Sequence, residues 1–456
     1  MSTDPSSSTA GETAAKPGPL TLKSHVSKTL DRPPSCVQCM SPDREYFVVG
    51  TYELDATETQ NEVEKTDQPQ SRSGSLILFY MGSDNNLITI DTVQTPGAVT
   101  DMRFSEELTQ GVLIVALSTG KISLFQFHGD RRFGDWRPEN AKLAHLKTVA
   151  LFPPSILILS IALHPTIRGK LAVTTSAGNV HELEVIDQET SSGKLDVVNS
   201  GVLLHHDEQA WTAAFAQTNT EGVQSALASK TKQGGERERL YSGGDDGILR
   251  STSFVVHNNK LRDFQPGRTL QKPFGAGVTA ILPLPAASQF PAADGLSSLL
   301  LVGSYDDRIR LIDPMASSVL AEENLEGGVW QLSQVDSFSK YESWTITPDG
   351  HEKTEPAEEN YLILASCCFA GARILRVHGR NKIWTINVLA KFVEHESMCY
   401  ASAVRPWASL GLDFSGRTEG WPYIKSRLTH HFVSTSYYDR LLCMWDYEDK
   451  DDKLRA

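Results

Sequence analysis

One pattern recurs along this chain and limits what it can become. A short apolar run ends in small residues, a tight turn follows, and an alternating segment comes after it. The turns are Ser73-Gly74, Thr119-Gly120, Ala177-Gly178, Asp246-Gly247, Asp306-Asp307, Ala370-Gly371 and Asp439-Arg440, spaced 46 to 69 residues apart. The segments before them read FVVGTY, LIVALS, LAVTTS, LYSGG, LLLVGS, LILASC and FVSTS. Val, Ile, Leu, Phe and Thr in short runs bounded by turn residues are the composition of strands. A sustained helical period is missing. A sheet unit repeated in this way cannot bury its own faces, so it must stack on its neighbours. Seven such units predict an all-β, seven-bladed β-propeller.

Two segments name the repeat. Val302 to Asp306 leads through Arg308-Ile309-Arg310-Leu311 to Ile312-Asp313, and Ser436-Tyr437-Tyr438-Asp439 leads to Trp445-Asp446. In both, the turn Asp lies seven residues before the closing Asp. That resembles the WD-repeat consensus, in which the turn Asp anchors a hydrogen-bond network within the blade. Tyr241 to Gly247 fits the same place, with Thr252-Ser253 where the WD pair would stand. A WD repeat runs about 40–45 residues, so the longer spacing predicts long inserted loops. Glu53–Arg72, Gln217–Arg239, Ala286–Ser298, Val335–Asn360 and Ala408–Thr429 read as those surface loops. The expected division is a disordered tail over 1–18, the propeller over 19–447 and an acidic tail over 448–456. The last strand, Leu441–Tyr447, would be the third of blade seven. Leu20–Leu30 is expected to supply the fourth and close the ring.

Composition excludes several function classes. Of 456 residues, 40% are hydrophobic and 22% charged, with a net charge of -13. That is enough apolar material for a large core. The acidic balance repels phosphates, so a nucleic-acid partner is not expected, while a cationic partner or substrate group is favoured. The six cysteines, Cys36, Cys39, Cys367, Cys368, Cys399 and Cys443, sit in apolar runs and read as buried thiols. Cys36 and Cys39 form a lone CxxC without the companions a zinc site needs, so no metal is expected. Met1–Lys16 has no apolar core of a secretory signal. Val149–Leu163 is too short and broken by Pro153-Pro154 to span a bilayer. These features predict a cytoplasmic protein without a membrane partner.

Several blocks, in their order along the blades, resemble the diphthine methyl ester hydrolases over about residues 36–446. They are Gly50-Thr51-Tyr52, His206-Asp207 through Trp211–Phe215, Tyr241–Gly247, Leu301–Asp313, Gly327-Gly328-Val329-Trp330, His395–Tyr400 and Ser436–Asp439. The chain departs from that family's usual pattern at Gln209, at Cys367-Cys368 and at Ala401, Ala403 and Val404. The resemblance implies hydrolysis of the methyl ester of diphthine on translation elongation factor 2, giving diphthine and methanol without a cofactor.

Ester hydrolysis needs an activated nucleophile and donors for the developing oxyanion. The chain has no G-x-S-x-G elbow, HExxH or P-loop, so any site must be assembled from the loops that open the blades. His395 and Ser397, two apart on a strand and thus on one face, are a candidate base and nucleophile. His206 is a second candidate base. The competing reading makes both histidines the ordinary repeat histidine, His395 bonded to Asp439 and His206 to Asp246. Asp245 is expected to face the channel. With Tyr305, Tyr438, Tyr400, Trp211 and Trp330 it could form an acidic aromatic cage for a trimethylammonium group. The competing reading of each Trp is packing alone. Two non-catalytic alternatives, a WD-repeat scaffold and a substrate adaptor, fit the composition and periodicity equally well.

Overall fold

The continuous apolar runs become the middle strands of stacked sheets. Tyr46–Thr51, Val112–Leu117 and Leu299–Ser304 are buried along their whole length, because a strand covered on both faces has no solvent side to alternate toward. Outer strands such as Leu87–Thr95 and Ser318–Asn324 do alternate. The computed structural model describes residues 18–40, 45–54, 71–82, 86–108, 111–129, 138–188, 194–216, 237–284, 299–340, 343–346, 352–355, 358–405 and 428–449. The expected N-terminal tail, through residue 17, lies outside the described residues. So do the C-terminal tail from 450 and the inserted segments at 55–70, 217–236, 285–298 and 406–427.

The strands form seven antiparallel blades of four strands each. Their innermost strands are Pro34–Cys39, Val99–Ser105, Ile158–Leu163, Ala210–Phe215, Val278–Leu284, Gln331–Lys340 and Ala401–Val404. Each innermost strand contacts the next, and the seventh contacts the first, so the ring is closed. Seven apolar clusters fill the seven gaps between blades. Alternation divides one strand between two of them: Tyr46 and Val48 pack toward blade two, Phe47 and Val49 toward blade seven. In six turns the second residue has the left-handed conformation, a glycine in four of them; a side chain is strained there and glycine is not.

Closure occurs as the sequence predicts. Ser24–Thr29 pairs antiparallel with Leu441–Asp449, the third strand of blade seven, with Thr29 opposite Leu441. That third strand continues to Asp449, past the expected boundary at 447. Leu20–Leu22, expected to belong to that same closing strand, instead runs parallel to Ile383–Phe392 on the outer edge of blade six. The N-terminal segment therefore laces two blades together. Glu394 between them accepts from the Ser24 N–H at 3.0 Å and pairs with Lys23 at 3.2 Å.

Two expectations need correction. Ser73-Gly74 is not a turn: it lies inside the strand Arg72–Met81, and Glu53-Leu54 pairs with Arg72-Ser73 to lengthen the hairpin. Gly74 is required for another reason. A Cβ there would overlap the Thr51 carbonyl and the Ala98 backbone of the next blade, so the glycine marks close approach. Val335–Asn360 is not an irregular loop either. Its flanking strands run to Lys340 and resume at Glu358, and 343–346 pairs with 352–355. All six cysteines are buried and free. Among the described residues no helix is long and apolar enough to cross a membrane.

Candidate functional site

The site is built by one irregularity repeated around the axis. In blades one to five the register of the innermost strand slips at its second residue, at Ser35, Thr100, Leu159, Trp211 and Thr279. A bulge of this kind re-aims one side chain, and all five line the central channel. Trp330 and Tyr400 stand at the matching place just before the innermost strands of blades six and seven and line it too.

Apart from Leu159 in blade three, the residues at this ring position fall into two groups. Hydroxyls tie blades together: Ser35 donates to the Val99 carbonyl at 2.6 Å, Thr100 to the Ile158 carbonyl at 2.5 Å, and Thr279 to the Val329 carbonyl. The aromatic members come from blades four, six and seven, with Thr279 of blade five between the first two. Trp211 and Trp330 lie 5.2 Å apart between ring centroids, Tyr305 and Trp330 5.6 Å, and Trp330 and Tyr400 4.9 Å. Tyr437 continues the arc from Tyr400 at 5.8 Å, and Tyr52 touches it at 6.4 Å. Tyr438 joins through Tyr437 and is 69% exposed, so it stands on the outer rim. Asp245 accepts a 2.6 Å hydrogen bond from Trp211 Nε1. Burial pushes the Tyr400 hydroxyl up to about 12 and the Tyr305 hydroxyl higher still, with Asp245 adding to the latter. The mouth is thus an arc of neutral rings with a carboxylate at one end.

The structure brings Asp245, Trp211, Trp330, Tyr305 and Tyr400 together. His206, His395 and Ser397 lie elsewhere, in the networks that hold the blades. His206 Nδ1 bonds both Asp246 carboxylate oxygens at 3.0 Å and its Nε2 bonds Ser242 at 2.8 Å. Arg250 also reaches Asp246. His395 directs Nε2 to Ser434 at 2.7 Å and Nδ1 to Ser436 at 2.8 Å, and Trp445 donates to the same Ser434. Ser397 donates to Asp439 at 2.7 Å and accepts from the Tyr438 N–H. His395 therefore meets serines where the sequence suggested direct contact with Asp439, because Ser436 stands between them. Burial lowers the His395 imidazole to about 4 against the pull of Asp439 and Glu394. Burial raises the Asp439 carboxyl, but hydrogen bonds from Ser436, Ser397 and the Glu396 N–H outweigh it and hold the carboxyl low.

Sequence reasoning missed a charged pair in the channel. Arg103 Nη1 donates to Asp101 at 2.7 Å and to the Met102 carbonyl at 2.8 Å. Asp101 also accepts from the N–H groups of Met102 and, across the blade boundary, Ile161, both at 2.8 Å. Burial raises the Asp101 carboxyl despite these donors. The available signal was two charges at alternate positions in an innermost strand, Asp101-Met102-Arg103.

No family model matches the chain. Two solved structures share its fold: a chain of the mitotic checkpoint complex, with a TM-score of 0.52, 12% identity and 98% of each chain covered, and Saccharomyces cerevisiae Sqt1, with 0.52, 13%, and 94% of this chain and all of that one. The Saccharomyces cerevisiae diphthine methyltransferase is 24% identical over 81% of this chain and 89% of its own length. The Schizosaccharomyces pombe protein of the same name is 26% identical over 88% and 90%, and the human one 25% over 83% and 73%. With the fold, the order of the blade-opening blocks and these alignments agreeing, the chain resembles the diphthine methyltransferases over most of its length.

Proposed function

We propose that this protein acts in diphthamide biosynthesis as a carboxylic ester hydrolase, removing the methyl group from diphthine methyl ester on translation elongation factor 2 in the cytoplasm. The observation that carries the reading is the mouth: Trp211, Trp330, Tyr305 and Tyr400 around one end of the channel, with Asp245 bonded to Trp211. A quaternary ammonium cannot donate a hydrogen bond, so it is recognised by aromatic faces and a nearby negative charge. Diphthine carries that group. The similarity to proteins named diphthine methyltransferase supports the same substrate.

In the reaction, a water oxygen adds to the ester carbonyl carbon and the bond to the methoxy oxygen breaks. The methoxy group leaves as methanol with a proton from the water, and the acid formed releases its proton to solvent. In this reading His206, His395 and Ser397 keep the blade openings rigid, and the ester is held in the channel below the aromatic arc. No cofactor takes part.

The test uses purified protein and methyl-esterified elongation factor 2, without ATP or added metal. Methanol release, matched by conversion of ester to carboxylate in the mass spectrum, is expected. Transfer of a methyl group onto the factor from a donor would replace this reading with a transferase. Absence of any chemistry, with the ester form not accumulating in cells lacking the protein, would leave a scaffold.

A further inference from the structure

We propose that the channel reads two groups on one ligand: a quaternary ammonium at the aromatic mouth, and a carboxylate, or the ester it derives from, at Arg103. The inference rests on the ammonium-binding reading of the mouth and adds a specificity residue to it. Arg103 lines the same cavity as Trp211, Trp330 and Tyr400, and of the lining residues only it and Asp101 are charged.

The guanidinium is held in place. Asp101, 8% exposed, is fixed by backbone N–H groups from blades two and three and grips Nη1 from behind. Asp101 faces those three donors, which leaves it little capacity to bond a ligand directly. Every hydrogen bond of Arg103 among the described residues runs through Nη1, so Nη2 and Nε remain as donors for the channel. Two parallel N–H groups match the two oxygens of a carboxylate, a geometry a lysine cannot reproduce. The same donors favour the negative charge that forms on a carbonyl oxygen when water adds to an ester. The ligand class is therefore a betaine or its ester.

Calorimetry on the full chain tests this with three probes: trimethylglycine, its methyl ester, and tetramethylammonium. The native protein is expected to bind trimethylglycine about tenfold more tightly than tetramethylammonium, a difference suited to one charge-assisted pair. Arg103→Gln is expected to erase that preference and leave tetramethylammonium binding unchanged. Arg103→Lys should retain part of it, and Trp330→Ala should weaken all three probes. Melting curves establish that each variant is folded. Equal binding of trimethylglycine and tetramethylammonium by the native protein, or an undiminished preference in Arg103→Gln, overturns the inference. If the preference holds and no methanol is released from the esterified factor, the inference stands and the hydrolase reading falls.

Discussion

The residues facing the channel in blades one, two and five differ in kind from those in blades four, six and seven, although the backbone presents them alike. Ser35, Thr100 and Thr279 use their hydroxyls to bond the next blade. Trp211, Trp330 and Tyr400 touch one another across blade boundaries through their rings. A ring makes no such carbonyl tie through its face, and blades four and seven are pinned from behind by His206 with Asp246 and by His395 with Ser434 and Ser436. The hydroxyl positions are thus built for cohesion. The aromatic positions are built to leave ring surface open and are held together further out.

Both groups presume a closed ring, and the harshest way to break the comparison is to open it. Deleting residues 1–32 removes the strand Ser24–Thr29 and its pairing with Leu441–Asp449, together with the contact of Leu20–Leu22 with blade six. The apolar face of blade seven would then end in an unpaired edge. The expected loss approaches the whole stability of a domain, about 5–15 kcal/mol. Urea denaturation beside a chain lacking only 1–16 measures it. Matching curves would mean that the N-terminal strand does not close the ring.

A replacement within the aromatic arc separates the two roles. Trp330 touches Trp211, Tyr305 and Tyr400, so Trp330→Ala removes the centre of the cage. Loss of a desolvated cation–π contact of roughly 2 kcal/mol predicts about a thirtyfold fall in kcat/KM for the esterified factor. Stability should fall as well, since a large side chain is lost, but the folded protein should persist. Turnover retained within about threefold would show that the arc packs the mouth without reading the substrate.

The pins behind the aromatic arc can be read by pH. His395 titrates near 4 in the folded chain because burial opposes its charge, and near about 6.5 when unfolded. Between these values the unfolded chain binds more protons. The contribution of His395 is therefore complete above pH ~6.5 and is lost as pH falls toward 4. Asp439 and Glu394 face it and oppose part of the shift. His395→Gln should lower stability at neutral pH and flatten the decline across this window, as followed by urea midpoints at several pH values. An unchanged slope would place the acid sensitivity elsewhere, with His206, also lowered by burial against the pull of Asp246, as the next group to replace.

What the sequence disclosed follows from what each feature requires locally. Turns such as Asp306-Asp307 and Asp439-Arg440 were readable because a left-handed residue and a turn carboxylate are needed within a few positions of each other. Ser73-Gly74 misled because glycine also serves where two backbones pass closely, and only the folded structure shows Ala98 beside Gly74. The aromatic arc was legible through blade-opening Trp and Tyr residues. Arg103 was hidden, since its importance depends on a partner at Asp101 that is itself fixed by Ile161 in another blade. The pairing of His395 with Ser436 escaped for a similar reason: spacing brings both to one end of blade seven but does not say which of Ser436 and Asp439 stands nearer the ring.

The gentlest test lies among the cohesive hydroxyls. Thr100→Val keeps the shape of the side chain and removes only the hydroxyl that donates to Ile158. The carbonyl it leaves belongs to Ile158, which is fully buried, and loses this donor. The expected loss is therefore about 1–3 kcal/mol, the cost of a buried acceptor left without its donor. Ser35→Ala should cost a similar amount at the neighbouring boundary. If the two groups are as distinct in role as their contacts make them, neither change should alter the binding of tetramethylammonium, which meets only the rings. Denaturation midpoints and calorimetry on the same samples decide this. A weakened cation site in Thr100→Val, without unfolding, would show that the hydroxyl ties set the spacing of the aromatic arc and that the ring acts as one unit.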